Sequence, residues 1–198
     1  MCRFVESVQL KDGVFKRLDL HQERLLRAMK DCCPKDKVID LKSVLMHTSF
    51  PAEGLFKCRV VYDSQIREIE FIPYVKREIH SLKLVETQME SSHCKKEDRS
   101  LLNAAFALRG DCDDVILVKD GLLTDSSFSN IALFDGLHWV TPHVPLIYGV
   151  NRAQLVREGI LTEKDINSAD LVNFKRVTLF NALNEFGSIE LDISSIRH

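Results

Sequence analysis

The dipeptide Asp-Gly occurs three times, at Asp12-Gly13, Asp120-Gly121 and Asp135-Gly136, each time between apolar runs. Both residues accept the positive φ that a two-residue hairpin turn demands, so each pair predicts an antiparallel reversal. Around these turns the sequence predicts strands at Cys2 to Leu10, Val115–Lys119, Ser126–Phe134 and Leu137–Val140. Further strands are expected at Phe56–Asp63 and Ile66–Pro73, paired around Ser64-Gln65, then at Ile79–Glu86, Leu179–Phe180 and Ile189–Ile193.

Helices are fewer. Asp19 reads as an N-cap with Gln22 three residues on, opening a helix through Leu20, Leu25, Leu26 and Met29 that Pro34 ends. A short helix is expected from Asp40 to His47. Ser100–Arg109 sets Leu101, Leu102, Ala105 and Leu108 on one face, with Gly110 at the stop. Arg152–Glu158 is a helix ended by Gly159, and Thr162–Asp165 starts another. Strands in runs with few helices imply an α+β fold rather than a regular βαβ series. The polar stretch from Glu86 to Lys96 reads as a linker. It divides the chain into a small N-terminal α/β lobe (1–86), a linker (87–94) and a C-terminal lobe (95–198).

Charge and cysteine usage exclude several classes. The formal charge of −2, with Lys and Arg spread among Asp and Glu, leaves no basic stripe for nucleic acid. No apolar run approaches the roughly 20 residues that span a bilayer. The N-terminus alternates like a strand rather than reading as a signal peptide, so a cytoplasmic location is expected. The six cysteines, Cys2, Cys32, Cys33, Cys58, Cys94 and Cys112, lack paired metal-ligand spacing. They read as free thiols, and the seven scattered histidines add no zinc pattern, so no metal is expected.

Three segments carry chemistry, although each has a plainer reading by itself. Cys94-Lys95-Lys96-Glu97-Asp98-Arg99 places two amines side by side, which with burial favours a neutral, nucleophilic lysine; alone it reads as a solvated linker. Leu123 to Phe134 sets Asp125 ahead of small residues, Asn130 and an apolar strand. An acid there can hold a heteroaromatic nitrogen protonated; the plainer reading is a hairpin with a polar start. Trp139-Val140-Thr141-Pro142 and then Gly149-Val150-Asn151-Arg152 put a glycine immediately before a helix. Unpaired N–H groups at such a helix start bind anions, phosphate above all, and the plainer reading is an ordinary cap.

Taken together and in order, these segments resemble the fold type IV pyridoxal-phosphate enzymes, which include branched-chain aminotransferase, D-amino-acid aminotransferase and 4-amino-4-deoxychorismate lyase. Lys95 to Arg99 resembles the family's Lys-x-x-Asn-Arg segment, whose lysine forms the Schiff base with the cofactor. Thr124-Asp125 through Asn130-Ile131 is similar to the segment whose acid meets the pyridine nitrogen. Thr141-Pro142 with Gly149-Val150-Asn151-Arg152 is similar to the segment that cradles the phosphate. Phe4-Val5-Glu6-Ser7 and His21-Gln22-Glu23-Arg24-Leu25 resemble the early strand and helix, and the closing segment matches at Ala169-Asp170 and Phe180-Asn181-Ala182-Leu183.

The resemblance implies a two-lobed, D-amino-acid-aminotransferase-like α+β fold with a shortened N-terminal lobe, and pyridoxal 5′-phosphate in the cleft between the lobes. It implies Lys95 as the catalytic residue, preferred over Lys96 for its spacing to Arg99. Arg24, Lys95, Asp125, Asn130, Gly149, Val150, Asn151, Asn181 and Ala182 would bind the cofactor. It further implies a homodimer acting on a small-molecule substrate. Two departures stand out: Asp125 replaces the family's usual Glu, and the chain begins almost at the strand that relatives reach after some 25 residues. Asn181-Ala182-Leu183 resembles the lyase version of the closing segment, which favours release of pyruvate from 4-amino-4-deoxychorismate to give 4-aminobenzoate on the way to folate. The competing readings are a class IV aminotransferase acting on a branched-chain or D-amino acid, and a non-catalytic cofactor-binding or interaction domain.

Overall fold

A computed structural model of the chain describes residues 3–32 and 37–198. Cys2, Cys33 and Pro34, read above as a strand start, a thiol and a helix stop, lie outside the described residues. Contacts divide the chain into two units, one of residues 1–76 and 93–98, the other of residues 77–92 and 99–198.

In the first unit β1 (Phe4–Lys11) turns through Asp12 and Gly13, at φ of 48° and 74°, into β2 (Val14–Phe15). Two helices follow, α1 (Leu18–Cys32) and α2 (Leu41–Met46), and then the hairpin of β3 (Leu55–Tyr62) and β4 (Ile66–Pro73). The strands pair antiparallel in the order β2-β1-β3-β4. Helix α1 buries Leu20, His21, Arg24, Leu25, Ala28 and Met29, the adjacent pairs recurring every four residues that give one inward face. Leu25, Ala28 and Met29 share a core with Phe4, Val8, Val60, Tyr62 and Cys94. The segment 93–98 is held to β1 by backbone bonds: Val5 N–H donates to Lys95 C=O and Glu97 N–H to Arg3 C=O, each at 2.9 Å, with Phe4 opposite Lys96.

The second unit begins with β5 (Leu82–Glu86) and α3 (Ser100–Ala107), followed by β6 (Asp114–Lys119), β7 (Leu122–Ser126), β8 (Asn130–Phe134) and β9 (Trp139–Pro142). After α4 (Val150–Arg157) come β10 (Thr162–Lys164), β11 (Arg176–Phe180), β12 (Glu190–Asp192) and β13 (Ile196–Arg197). They form one mixed sheet in the order β10-β9-β8-β7-β6-β5-β13, with β11 paired to β8 and β12 to β11. Its main core gathers Leu82, Ile116, Leu123, Ile131, Leu133, Val177 and Leu179, all almost fully buried. Among the described residues no helix is long and apolar enough to cross a membrane.

Several local expectations are corrected. Asp19 lies inside the first turn of α1 rather than at its cap, and Gln22 ties α1 to the start of α2 instead of closing a capping box. Its side chain donates to Ile39 C=O and accepts from Leu41 N–H. The expected strand Ser126–Phe134 is two strands, because Ser126 Oγ accepts from the N–H groups of Phe128 and Ser129 and bends the chain into a turn. Thr162–Lys164 is an edge strand parallel to β9, not a helix, with buried Leu161 and Ile166 flanking its three exposed residues. The strand expected from Ile79 starts at Leu82 and pairs with β6 in the second sheet.

The apolar face assigned to α3 is also wrong in part: Ala105 is buried, yet Leu101 is 66% exposed. Leu25→Ala should therefore cost about 2–5 kcal/mol of stability, whereas Leu101→Ala should change it by less than about 0.5 kcal/mol. Equilibrium denaturation of the two variants checks this; equal losses would contradict the placement of α3.

Candidate active site

In the second unit, Asp125 lies one residue before the end of β7 and Asn130 opens β8, and the tight turn between the strands makes the two residues cross-strand partners. Asp125 is buried. Its Oδ1 accepts from Asn130 Nδ2 and its Oδ2 from Ile147 N–H, both at 2.8 Å. Asn130 Nδ2 also donates to Ile147 C=O at 2.8 Å, so one amide joins the acid to the chain leading into α4. Burial pushes the Asp125 carboxyl up to about 7, and the Ile147 N–H, Asn130 and the more distant Arg152 charge only partly offset it.

Gly149 is the N-cap of α4, at φ −71° and ψ 145°, with no side chain capping the helix. Its φ suits any residue; the glycine is required by proximity. A Cβ there would lie 2.0 Å from Asn130 Oδ1, and that side chain is already held at two points. Val150 and Asn151 follow, both buried. Asn151 Nδ2 donates to the C=O of Asn181 at 2.9 Å, joining the start of α4 to the closing turn. Asn181 Nδ2 donates to Ser129 Oγ at 3.0 Å, and its Oδ1 accepts from the N–H groups of Leu183 and Asn184, folding the turn that holds Ala182. The structure thus brings Asp125, Asn130, Gly149, Val150, Asn151, Asn181 and Ala182 into one connected frame. Arg152 braces it from behind, donating to Pro142 C=O at 2.7 Å and to Glu163 at 2.6 Å.

The first unit holds the remaining two predicted residues. Lys95 is half-buried and its Nζ lies 3.2 Å from Ser7 Oγ, whereas Lys96 is exposed. Arg24 is buried, and its Nε and one terminal nitrogen grip Glu6 at 2.9 and 2.5 Å. His21 Nδ1 lies 2.5 Å from the same carboxylate. Burial alone would raise Glu6, yet the Arg24 charge and His21 outweigh it and hold the carboxyl down to about 2. Burial lowers His21, so its imidazole is neutral, with Nδ1–H donating to Glu6. Alternation along β1 puts Glu6 on the face of Phe4 and Val8, and Ser7 with Lys95 on the other.

Sequence reasoning left Glu6, Ser7 and the buried Asp114 without roles. The signal for Glu6 was present: a charge among apolar positions of an alternating strand, with Arg24 on the buried stripe of α1. Arg59 is engaged by Glu68, Glu70 and Glu97 at 2.6–2.9 Å, and Arg77 lies over the rings of Phe106 and Phe128. His93, His138 and His143 are exposed.

Two outcomes follow from this geometry. Gly149→Ala should lose about 1–3 kcal/mol, the scale of overpacking, in a denaturant titration; an unchanged midpoint would mean Asn130 is not fixed. Glu6 titrates lower in the folded chain than its ordinary value of 4.5, so its contribution is complete above that value and is lost as the pH falls towards about 2. Glu6→Gln should lower stability near neutral pH by about 3 kcal/mol and flatten this acid limb. A variant with the wild-type acid profile would contradict the pairing.

Comparison with known proteins places this frame in a family. A model of the class IV amino-transferases matches residues 61–191. An uncharacterized protein of Haemophilus influenzae is 31% identical over 181 residues, covering 90% of this chain and 96% of that protein. A crystal structure from Haemophilus somnus 129PT, described provisionally as a 4-amino-4-deoxychorismate lyase, is 27% identical with a TM-score of 0.86, covering 93% of this chain and 98% of that one. A Mesorhizobium loti structure, described provisionally as an amino-acid aminotransferase, shares the fold at 22% identity and a TM-score of 0.77, over 97% and 99% of the two chains. Order of motifs, fold and family match agree, and the chain is an enzyme belonging to the class IV amino-transferase family.

Proposed function

We propose that the chain is a 4-amino-4-deoxychorismate lyase, releasing pyruvate to leave 4-aminobenzoate. As a class IV amino-transferase it is a pyridoxal-phosphate enzyme. The residues fit that group on two grounds. Asp125 is a buried acid whose two bound donors leave it raised, the environment in which a protonated ring nitrogen is a favourable partner. The start of α4 has no side-chain cap, so its N–H groups and the helix dipole suit a phosphate. Arg24, Asp125, Asn130, Gly149, Val150, Asn151, Asn181 and Ala182 would bind the cofactor, and Lys95 would carry it. When bound, pyridoxal phosphate supplies an electron-withdrawing ring conjugated to the substrate amine.

The chain's own groups do the rest. Lys95 Nζ would hold the cofactor and supply an amine able to carry a proton. Ser7 Oγ, beside it, orients that amine. Asp125 would favour the protonated form of the ring nitrogen, and Glu6 holds Arg24 in one orientation in which it would meet the anionic tail. The lyase reading rests on one observation above the others, the near end-to-end match to the Haemophilus somnus structure. Asn181-Ala182-Leu183, the lyase-like form of the closing turn, supports it. The resemblance also supports a homodimer.

Two measurements test this reading. Borohydride should fix the cofactor covalently on Lys95; Lys95→Ala should lose the label and Lys96→Ala keep it. Labelling at Lys96 would overturn the assignment. Incubation with 4-amino-4-deoxychorismate should yield 4-aminobenzoate and pyruvate in equal amounts. Amino-group transfer to 2-oxoglutarate with no pyruvate release would replace lyase by aminotransferase.

A further inference from the structure

Of the cysteines, Cys32 and Cys94 are brought together: their sulfurs lie 3.7 Å apart although 62 residues separate them in sequence. Cys32 ends α1 and is exposed, while Cys94 is buried in the core beneath α1. The two thiols therefore differ in access but not in reach. Cys58, fully buried with its thiol pushed up to about 12 by that burial, offers neither access nor thiolate.

We propose that Cys32 and Cys94 form a reversible oxidation site for hydroperoxides, and that closing it disturbs the amine of Lys95. The exposed Cys32, as thiolate, attacks a peroxide oxygen, breaking the O–O bond and giving Cys32 sulfenic acid and hydroxide, or an alkoxide from an alkyl hydroperoxide. Cys94 sulfur then displaces the sulfenic oxygen, which leaves as water with the Cys94 proton, and the S–S bond forms. The peroxide is reduced by two electrons and the thiol pair is oxidised by two. A thiol reductant reverses the step.

Closure must bring the sulfurs from 3.7 Å to roughly 2.05 Å, the disulfide bond length. Cys94 is packed among Phe4, Leu25, Tyr62 and their neighbours, so little of that approach can be absorbed by a loose side chain. The next residue is Lys95, whose carbonyl is tied to Val5 and whose amine lies beside Ser7. A pull on Cys94 towards α1 therefore moves the adjoining Lys95 and its amine. The coupling to Lys95 rests on the cofactor assignment above; the cross-link itself does not.

Holoenzyme titrated with hydrogen peroxide should yield a Cys32–Cys94 linked peptide that dithiothreitol dissolves and Cys32→Ser lacks. Linkage through Cys33, or over-oxidation of Cys32 without a cross-link, would overturn the site. Where the cross-link forms, the fraction of wild-type chains labelled by borohydride at Lys95 should fall below that of the reduced protein. Peroxide-treated Cys32→Ser should keep its label. Undiminished labelling of cross-linked protein would overturn the coupling, and no labelling of reduced protein would sink the cofactor reading instead.

Discussion

Asn130 holds the second unit's site together because one amide satisfies three demands. Its nitrogen donates to Asp125 and to Ile147 C=O, and its oxygen fills the space where Gly149 has no side chain. An acid buried at the end of β7 is thereby placed at a fixed distance from the uncapped start of α4. Without that link the acid and the helix terminus belong to separate loops, each free to relax. Buried polar networks of this kind are stable only when every member is partnered. Here Asp125 takes two donors and Asn151 passes the connection to the closing turn at Asn181.

Two of the buried carboxylates, Glu6 and Asp125, are driven in opposite directions by their surroundings. Glu6 faces a guanidinium and an imidazole, and falls to about 2. Asp125 has neutral donors only at hydrogen-bonding range, and rises to about 7. Glu6 is thus electrically complete and acts through Arg24, which it orients. Asp125 is incomplete, and a cationic N–H is the partner that would lower its energy most. That contrast separates a carboxylate whose charge is already met from one that a cationic partner would still stabilise.

The hairpins were legible because Asp-Gly has few alternatives, and Asp12, Gly13, Asp120 and Gly121 all take the positive φ that the pattern implied; at the third pair only Gly136 does, and Asp135 Oδ1 instead accepts from the N–H groups of Leu137 and His138. The order of site segments was legible for a similar reason: each keeps a residue type that its local bond pattern requires, as Gly149 and Asn130 show. Pairing across distance was not. Whether Gln22 caps its own helix or ties to Leu41 depends on where α2 lies, and local sequence is silent on that. Thr162–Lys164 carries no apolar period of its own, so only its parallel register with β9 makes it a strand. The Glu6 pair was concealed by the habit of reading charge as surface, although alternation on β1 placed it inside.

The shorter acid at position 125 is accommodated by its surroundings rather than merely tolerated. With one methylene fewer than glutamate, its carboxylate stays close to β7, where Asn130 and the Ile147 N–H both reach it at 2.8 Å. A glutamate would carry its oxygens further from β7 and would have to give up one of these donors or displace the 145–149 segment. The loss of reach is therefore coupled to a gain in fixation, because each carboxylate oxygen has its own donor and the group cannot rotate freely. Ser126 contributes to the same arrangement. Ser126 Oγ accepts from Phe128 and Ser129, tightening the turn that delivers Asn130 to the acid. The aspartate, the serine turn and the Gly149 approach thus form one solution, in which changing any single member strains the other two.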